Sequence, residues 1–151
     1  MLKGIDPLLT PELLKVLAEM GHGDEIVIAD ANFTAATLGR GKTVIHLPGV
    51  GVERVSEAVL SLLPLDAAVA QPVACMQVCG MPEGWHSALQ RRMLARLTER
   101  GWARPEQVQA VERFAFYDRV LKAHAIVLTG EPQPYANFVF KKGVIGEALV
   151  H

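Results

Sequence analysis

Hydrophobicity along this chain is broken into short continuous apolar runs, and that pattern limits the fold more than any other feature. The clearest run is Ile26-Val27-Ile28-Ala29, bounded by Asp24-Glu25 and Asp30-Ala31-Asn32. Four apolar residues without alternation leave no face for water, so the run reads as a strand covered on both sides, as in a parallel or mixed sheet. Further strands are expected at Thr43 to Leu47, Val73 to Val78, Ala125 to Leu128 and Asn137 to Lys141. The segments between them carry helical spacing. Thr10-Pro11-Glu12 offers an N-cap hydroxyl, a proline at the first helical position and an acid facing the macrodipole. Leu13, Leu14, Leu17 and Met20 follow on one face, and Gly21 supplies a stop. Val52 to Leu63, Ser87 to Glu99 and Glu112 to Ala123 are also expected to be helical.

Strands alternating with helices predict an α/β fold: a single domain over residues 1–151, with a central mixed, mostly parallel sheet flanked by helices. The last two strands are separated by the turn Thr129 to Pro134 and are expected to pair antiparallel at one side of the sheet. The tail from Gly143 to His151 carries no signal that decides between docking and a loose end.

A chain of 151 residues suits one domain and needs no disulfide or metal staple to bury a core. Its residues are 50% hydrophobic and 21% charged, too apolar for disorder and rich for a solitary monomer. The excess points to a buried sheet, a subunit interface, or both. Fifteen basic residues against sixteen acidic ones leave a net charge of −1, which removes the electrostatic case for nucleic acid or an anionic membrane. No apolar run approaches the ~20 residues that span a bilayer, and Met1 to Pro7 lacks the layout of a signal peptide. Two cysteines are too few for a disulfide framework, so a cytoplasmic chain with free thiols is expected.

Several residues are candidates for chemistry. His22 lies between Gly21 and Gly23, after a helix stop and before the first core strand. It either meets the carbonyls at the helix end or is aimed into a cleft by its flexible neighbours. Asp30 directly follows the first strand, where open α/β sheets bind ligands, although an Asx turn is an equal use for an aspartate there. Arg113, beside Phe114-Ala115-Phe116-Tyr117, suits either a ligand fork or a salt bridge. Tyr135 and Asn137 flank Ala136 at the entry to the last strand, where their groups fit a neutral polyol or ordinary turn chemistry. Cys75, Cys79 and His86 form an incomplete zinc set, and the two thiols read as inert core groups. Gly39-Arg40-Gly41 and Gly49-Val50-Gly51 complete no phosphate-loop or dinucleotide fingerprint.

Taken together, several segments resemble the fucose mutarotase/ribose pyranase family, more closely its fucose mutarotase branch. The likeness runs from Leu8-Leu9-Thr10-Pro11-Glu12 through Gly21-His22-Gly23-Asp24-Glu25-Ile26 and recurs at Asp30-Ala31-Asn32-Phe33. It returns at Arg113-Phe114-Ala115-Phe116-Tyr117-Asp118-Arg119, at Ile126 to Glu131 and from Tyr135-Ala136-Asn137 to Gly143. Residues 34–111 match less well in detail. The resemblance implies that His22 is the catalytic acid/base and that Asp30, Arg113, Tyr135, Ala136 and Asn137 bind the sugar. It also implies an α/β, cofactor-free, cytoplasmic homo-oligomer, usually a decameric ring with pockets lined by neighbouring subunits. Asn32 stands where the fucose branch usually has histidine, Thr34 where it often has proline, and Ala136 where it usually has glycine.

The reaction so implied opens a cyclic hemiacetal and recloses it on the other face of the carbonyl. It requires a proton at the ring oxygen and removal of one from the anomeric hydroxyl, work that a single histidine can do. Asp30 would orient His22 or grip a hydroxyl, and no metal or cofactor is required. The expectation is therefore an isomerase acting on L-fucose or a related monosaccharide. A ribose pyranase and a non-catalytic sugar-binding or transport-accessory protein are the alternatives.

Overall fold

The computed structural model describes residues 1–147 and Leu149. The chain runs through α1 (Pro11–Glu19), β1 (Glu25–Ala29), α2 (Ala35–Leu38), β2 (Thr43–Leu47), α3 (Val52–Leu60) and β3 (Val73–Met76). It continues through α4 (Ala88–Glu99), a 3-10 turn (Pro105–Gln107), β4 (Val108–Val111), α5 (Arg113–Leu121), β5 (Ala125–Thr129) and β6 (Phe138–Lys141). Local chemistry sets the helix starts. Thr10 accepts a hydrogen bond from the Leu13 N–H at the head of α1, and Ser87 and Gln90 form a reciprocal capping box on α4.

The six strands form one sheet in the order β2-β5-β1-β6-β3-β4. Pairings β1·β5, β2·β5 and β3·β4 are parallel, whereas β6 runs antiparallel to both β1 and β3. The sheet is therefore mixed and mostly parallel, with one reversed strand near its centre.

Strand alternation divides the core into two layers. Ile26, Ile28, Val73, Cys75, Val127, Phe138 and Phe140 pack with Leu13, Val55, Val59, Leu89 and Met93 from α1, α3 and α4. Val27, Ala29, Ala74, Met76, Ile126 and Val139 face Ala35 of α2 and Phe116 and Val120 of α5. The four residues from Ile26 to Ala29 are fully buried, as expected of a run without alternation.

Three expectations need correction. β5 and β6 do not pair with each other, because both edges of β5 are taken by the parallel neighbours β1 and β2. The chain crosses the end of β1 instead and enters between β1 and β3, where Phe138 and Phe140 become fully buried. The third strand stops at Met76, so Cys79 is exposed and only Cys75 belongs to the core. The helix expected to reach Leu63 ends at Leu60, although Leu63 remains buried in the following turn. Two elements gave no advance signal. β4 is an edge strand that exposes Gln109 and Ala110, and α2 has only four residues. Of the tail, Gly143 is buried, residues 144–147 are exposed, and residues 148, 150 and 151 lie outside the described residues. No helix among the described residues is long and apolar enough to cross a membrane.

The burial of Phe138 at the sheet centre makes it a sensitive probe of this arrangement. Phe138→Ala is expected to cost about 3–5 kcal/mol of unfolding free energy, read from the shift of a urea midpoint. A loss below about 1 kcal/mol would contradict a central, tightly packed β6.

Candidate functional site

Because β6 is reversed, its first residues meet the carboxyl end of β1. Register pairs Ile28 with Phe138, which places Asp30 beside the Tyr135-Ala136-Asn137 entry to β6. The Asn137 side chain is buried and its Oδ1 accepts the Asp30 N–H at 2.8 Å, while its backbone carbonyl accepts the Met76 N–H. The Asp30 carboxylate accepts the Asn32 N–H at 2.9 Å, an Asx turn. Of the uses weighed for Asp30 the Asx turn is formed, and the residue also lines a cleft. Tyr135 has φ +62°, a left-handed conformation uncommon for a residue with a side chain. The Gln90 side-chain amide donates to its carbonyl and to that of Met76, holding the turn from the α4 side.

Arg113 opens α5. Its Nε donates to the Tyr117 hydroxyl at 2.8 Å, and its guanidinium lies over the rings of Phe114 and Tyr117 at 5.3 and 5.4 Å. The salt bridge considered for it does not form among the described residues.

Asp30, Arg113, Tyr135 and Asn137 thus line one open cleft of about 270 Å³, together with Asn32, Phe33, Met76 and Tyr117. That volume falls just below the roughly 300–1,000 Å³ of drug-sized pockets and suits a small ligand. Its walls carry a carboxylate, two amides, a guanidinium and two phenols, an array that recognises hydroxyl groups. Ala136 is buried and contributes its backbone, which hydrogen-bonds to Asp30. Larger concavities lie elsewhere, among them an apolar one beside Met1, Leu2 and Ile5 and a charged one whose Asp6, Arg54, Glu57 and Arg100 are already paired with one another.

His22 is not in this cleft. It precedes β1 while Asp30 follows it, and a five-residue strand separates its ends by about 17 Å. The expected orientation of His22 by Asp30 therefore does not occur within the chain. The carboxylate on His22 is that of Asp66, whose Oδ1 lies 3.0 Å from Nε2. The ring binds this acid rather than the carbonyls ending α1, and about half of the side chain remains exposed. Leu65, Asp66, Ala67, Ala68 and Val144 surround it in a shallow cavity of about 230 Å³.

Sequence reasoning missed Asp66 and Tyr117. Tyr117 carries a usable signal, since it stands four residues after Arg113 on a helix and must share its face. Asp66 lies 44 residues from His22 with no local cue.

Burial raises the Asp30 carboxyl above its ordinary value; hydrogen bonds from Asn32, Asn137 and Ala136 oppose this, and nearby Glu131 adds to it. Burial also pushes the Cys75 thiol up to about 11, which leaves it protonated and unreactive at neutral pH. Among the described residues no three His, Cys, Asp or Glu side chains are grouped to hold a metal ion.

Residues 3–145 match the model of the RbsD / FucU transport protein family. The L-fucose mutarotase of Actinobacillus pleuropneumoniae serotype 5b (strain L20) is 46% identical over 145 residues, covering 95% of this chain and 97% of that protein. The fucose mutarotase of Homo sapiens is 44% identical over 149 residues, covering 95% of this chain and 94% of that one. A crystal structure of the fucose mutarotase from Streptococcus pneumoniae in complex with L-fucose superimposes with a TM-score of 0.85 at 37% identity. It covers 96% of this chain and all of the other.

The Asp30 environment has a measurable consequence. A carboxyl that is harder to ionise folded than unfolded destabilises the native state above its unfolded value, fully so once the pH exceeds the folded value. Asp30→Asn removes that cost. At pH 7 the variant is expected to melt at or up to a few degrees above the parent, and the gain disappears below about pH 4. A variant several degrees less stable at pH 7 would mean that the hydrogen bonds to the charged form outweigh its burial.

Proposed function

Because the chain belongs to the RbsD / FucU transport protein family, we propose that it is a mutarotase interconverting the α and β anomers of L-fucose or a related monosaccharide. The observation that carries this reading is the hydroxyl-recognising cleft at the carboxyl end of β1, in a chain with such relatives. Asp30 accepts from sugar hydroxyls, Asn137 accepts or donates, Arg113 and Tyr135 add donors to the same cleft, and the buried Ala136 backbone keeps the turn in place. Recognition then depends on hydroxyl geometry, and a missing or inverted hydroxyl leaves buried groups of the site unpaired. No metal or cofactor takes part. The anomeric hydroxyl loses a proton, the C1–O5 bond opens, and closure on the other face reverses both steps, with His22 as acid and base.

His22 and the cleft stand at opposite ends of β1, so one chain does not bring them to one sugar. This separation supports a homo-oligomeric ring, a decamer in our reading, in which His22 of one copy faces the cleft of the next. Exposed apolar side chains flank both halves: Phe114 beside Arg113 of the cleft, and Val144 beside His22. Such groups mark surfaces that associate. The free cysteines suit a reducing compartment, in keeping with a cytoplasmic enzyme.

Saturation-transfer NMR tests the activity. L-Fucose anomers should exchange faster with the protein present, and His22→Ala should cut that exchange at least about a hundredfold while the fold survives. Normal exchange in folded His22→Ala would remove the histidine from the mechanism. Equal rates on fucose, galactose, ribose and glucose would refute a selective pocket, and a marked preference for ribose would make the protein a pyranase. Light scattering should give a mass several times that of one chain. A monomer at micromolar concentration would contradict the composite site.

A further inference from the structure

His22 and Asp66 hang from the same strand end. The Lys142 carbonyl accepts the Gly23 N–H at 2.8 Å, and the adjacent Lys141 carbonyl accepts the Asp66 N–H at 3.0 Å. Leu65 bridges to Lys142, and the Gly143 N–H donates to the Pro64 carbonyl. The fit there is close, since a Cβ on Gly143 would stand 2.5 Å from the Leu65 carbonyl oxygen. Asp66 is buried, and the same Oδ1 that meets His22 accepts the Ala68 N–H at 3.0 Å. Its carboxyl is held below the ordinary value, first by the Ala68 N–H and then by the His22 ring, with Lys141 adding positive charge. It is an ionised acceptor with nothing to donate.

An acceptor-only partner decides which nitrogen of a neutral imidazole carries the hydrogen. We propose that Asp66 is a positioning residue: by accepting from Nε2 of His22 it fixes the tautomer whose Nδ1 holds the free lone pair, so that Nδ1 is the atom that exchanges protons with the sugar. This rests on His22 being the acid/base assigned above. In the forward step Nδ1 takes the anomeric hydroxyl proton, and the O1–H pair becomes the second bond of the C1 carbonyl. The C1–O5 pair leaves on O5, which takes the proton back from Nδ1. The ring is cationic only between the two transfers, and the Asp66 charge stabilises that state without itself becoming protonated. The histidine ends neutral, and no co-reactant is consumed.

The test uses the full-length protein with nitrogen-15 in its histidine rings, the His22 signals being assigned by their loss in His22→Ala. At a pH where the ring is neutral, His22 should show a protonated Nε2 and a bare Nδ1. Asp66→Ala removes the acceptor on Nε2, whereas Asp66→Asn leaves an amide oxygen where Oδ1 stood, within reach of both the Ala68 N–H and Nε2. Protonated Nε2 should then lose its preference in Asp66→Ala and keep it in Asp66→Asn. Exchange at saturating L-fucose should fall at least about tenfold in Asp66→Ala, while half-saturation stays within about threefold, because Asp66 touches the His22 ring and is not among the residues that line the cleft.

A bare Nε2 in the parent protein would overturn the assignment without recourse to any variant. Exchange within twofold of the parent in folded Asp66→Ala, with His22→Ala inactive, would also overturn it. Full exchange in His22→Ala would instead refute the underlying mechanism, leaving the ring measurement to judge the Asp66 contact alone.

Discussion

β6 lies between β1 and β3 as the one reversed strand of its sheet, and both ends of the functional machinery are tied to it. Its burial supplies the anchoring force. Phe138, Val139 and Phe140 are all inaccessible to water, so the strand cannot shift register without exposing two large aromatic rings. Reversal is what makes it useful. A parallel strand in the same slot would begin where β1 begins, whereas β6 begins where β1 ends. The loop entering β6 therefore delivers Tyr135, Ala136 and Asn137 to Asp30, and the segment leaving it holds His22 and Asp66.

The two aspartates show how backbone geometry sets electrostatics. Both follow or flank an apolar segment and both are nearly inaccessible. Burial dominates at Asp30 and raises its carboxyl despite three hydrogen-bonding partners. At Asp66 the Ala68 N–H and the His22 ring dominate and lower it. Donors aimed at a carboxylate, rather than depth alone, decide whether it keeps its charge easily. An acid that lines a cleft and one that contacts a histidine have thus been placed in different surroundings at opposite ends of the same strand pair.

A strand length separates histidine from cleft, and that distance explains why association belongs to the proposed activity. The sheet keeps the two halves rigid and apart, so they do not meet within one chain. Arg113 stands at the exposed rim of the cleft: its guanidinium is held by Tyr117 and Phe114, and Phe114 itself remains largely exposed.

Local chemistry written in the sequence determined the fold class, the starts of α1 and α4, the burial of Ile26 to Ala29 and the inert character of Cys75. Each depends on neighbours within a few residues, through capping, periodicity or an unbroken apolar run. The clustering of Asp30, Arg113, Tyr135 and Asn137 was reached through resemblance and ligand-site position, and these residues share one cleft. Tertiary structure alone decided the place of β6, because pairing depends on which sheet edges are already occupied, and Ala125 to Leu128 carries no record of that. It alone put Asp66 rather than Asp30 on His22. The five residues of β1 carry His22 away from Asp30, while the turn at Leu65 and Gly143 folds a residue 44 positions distant back against its ring.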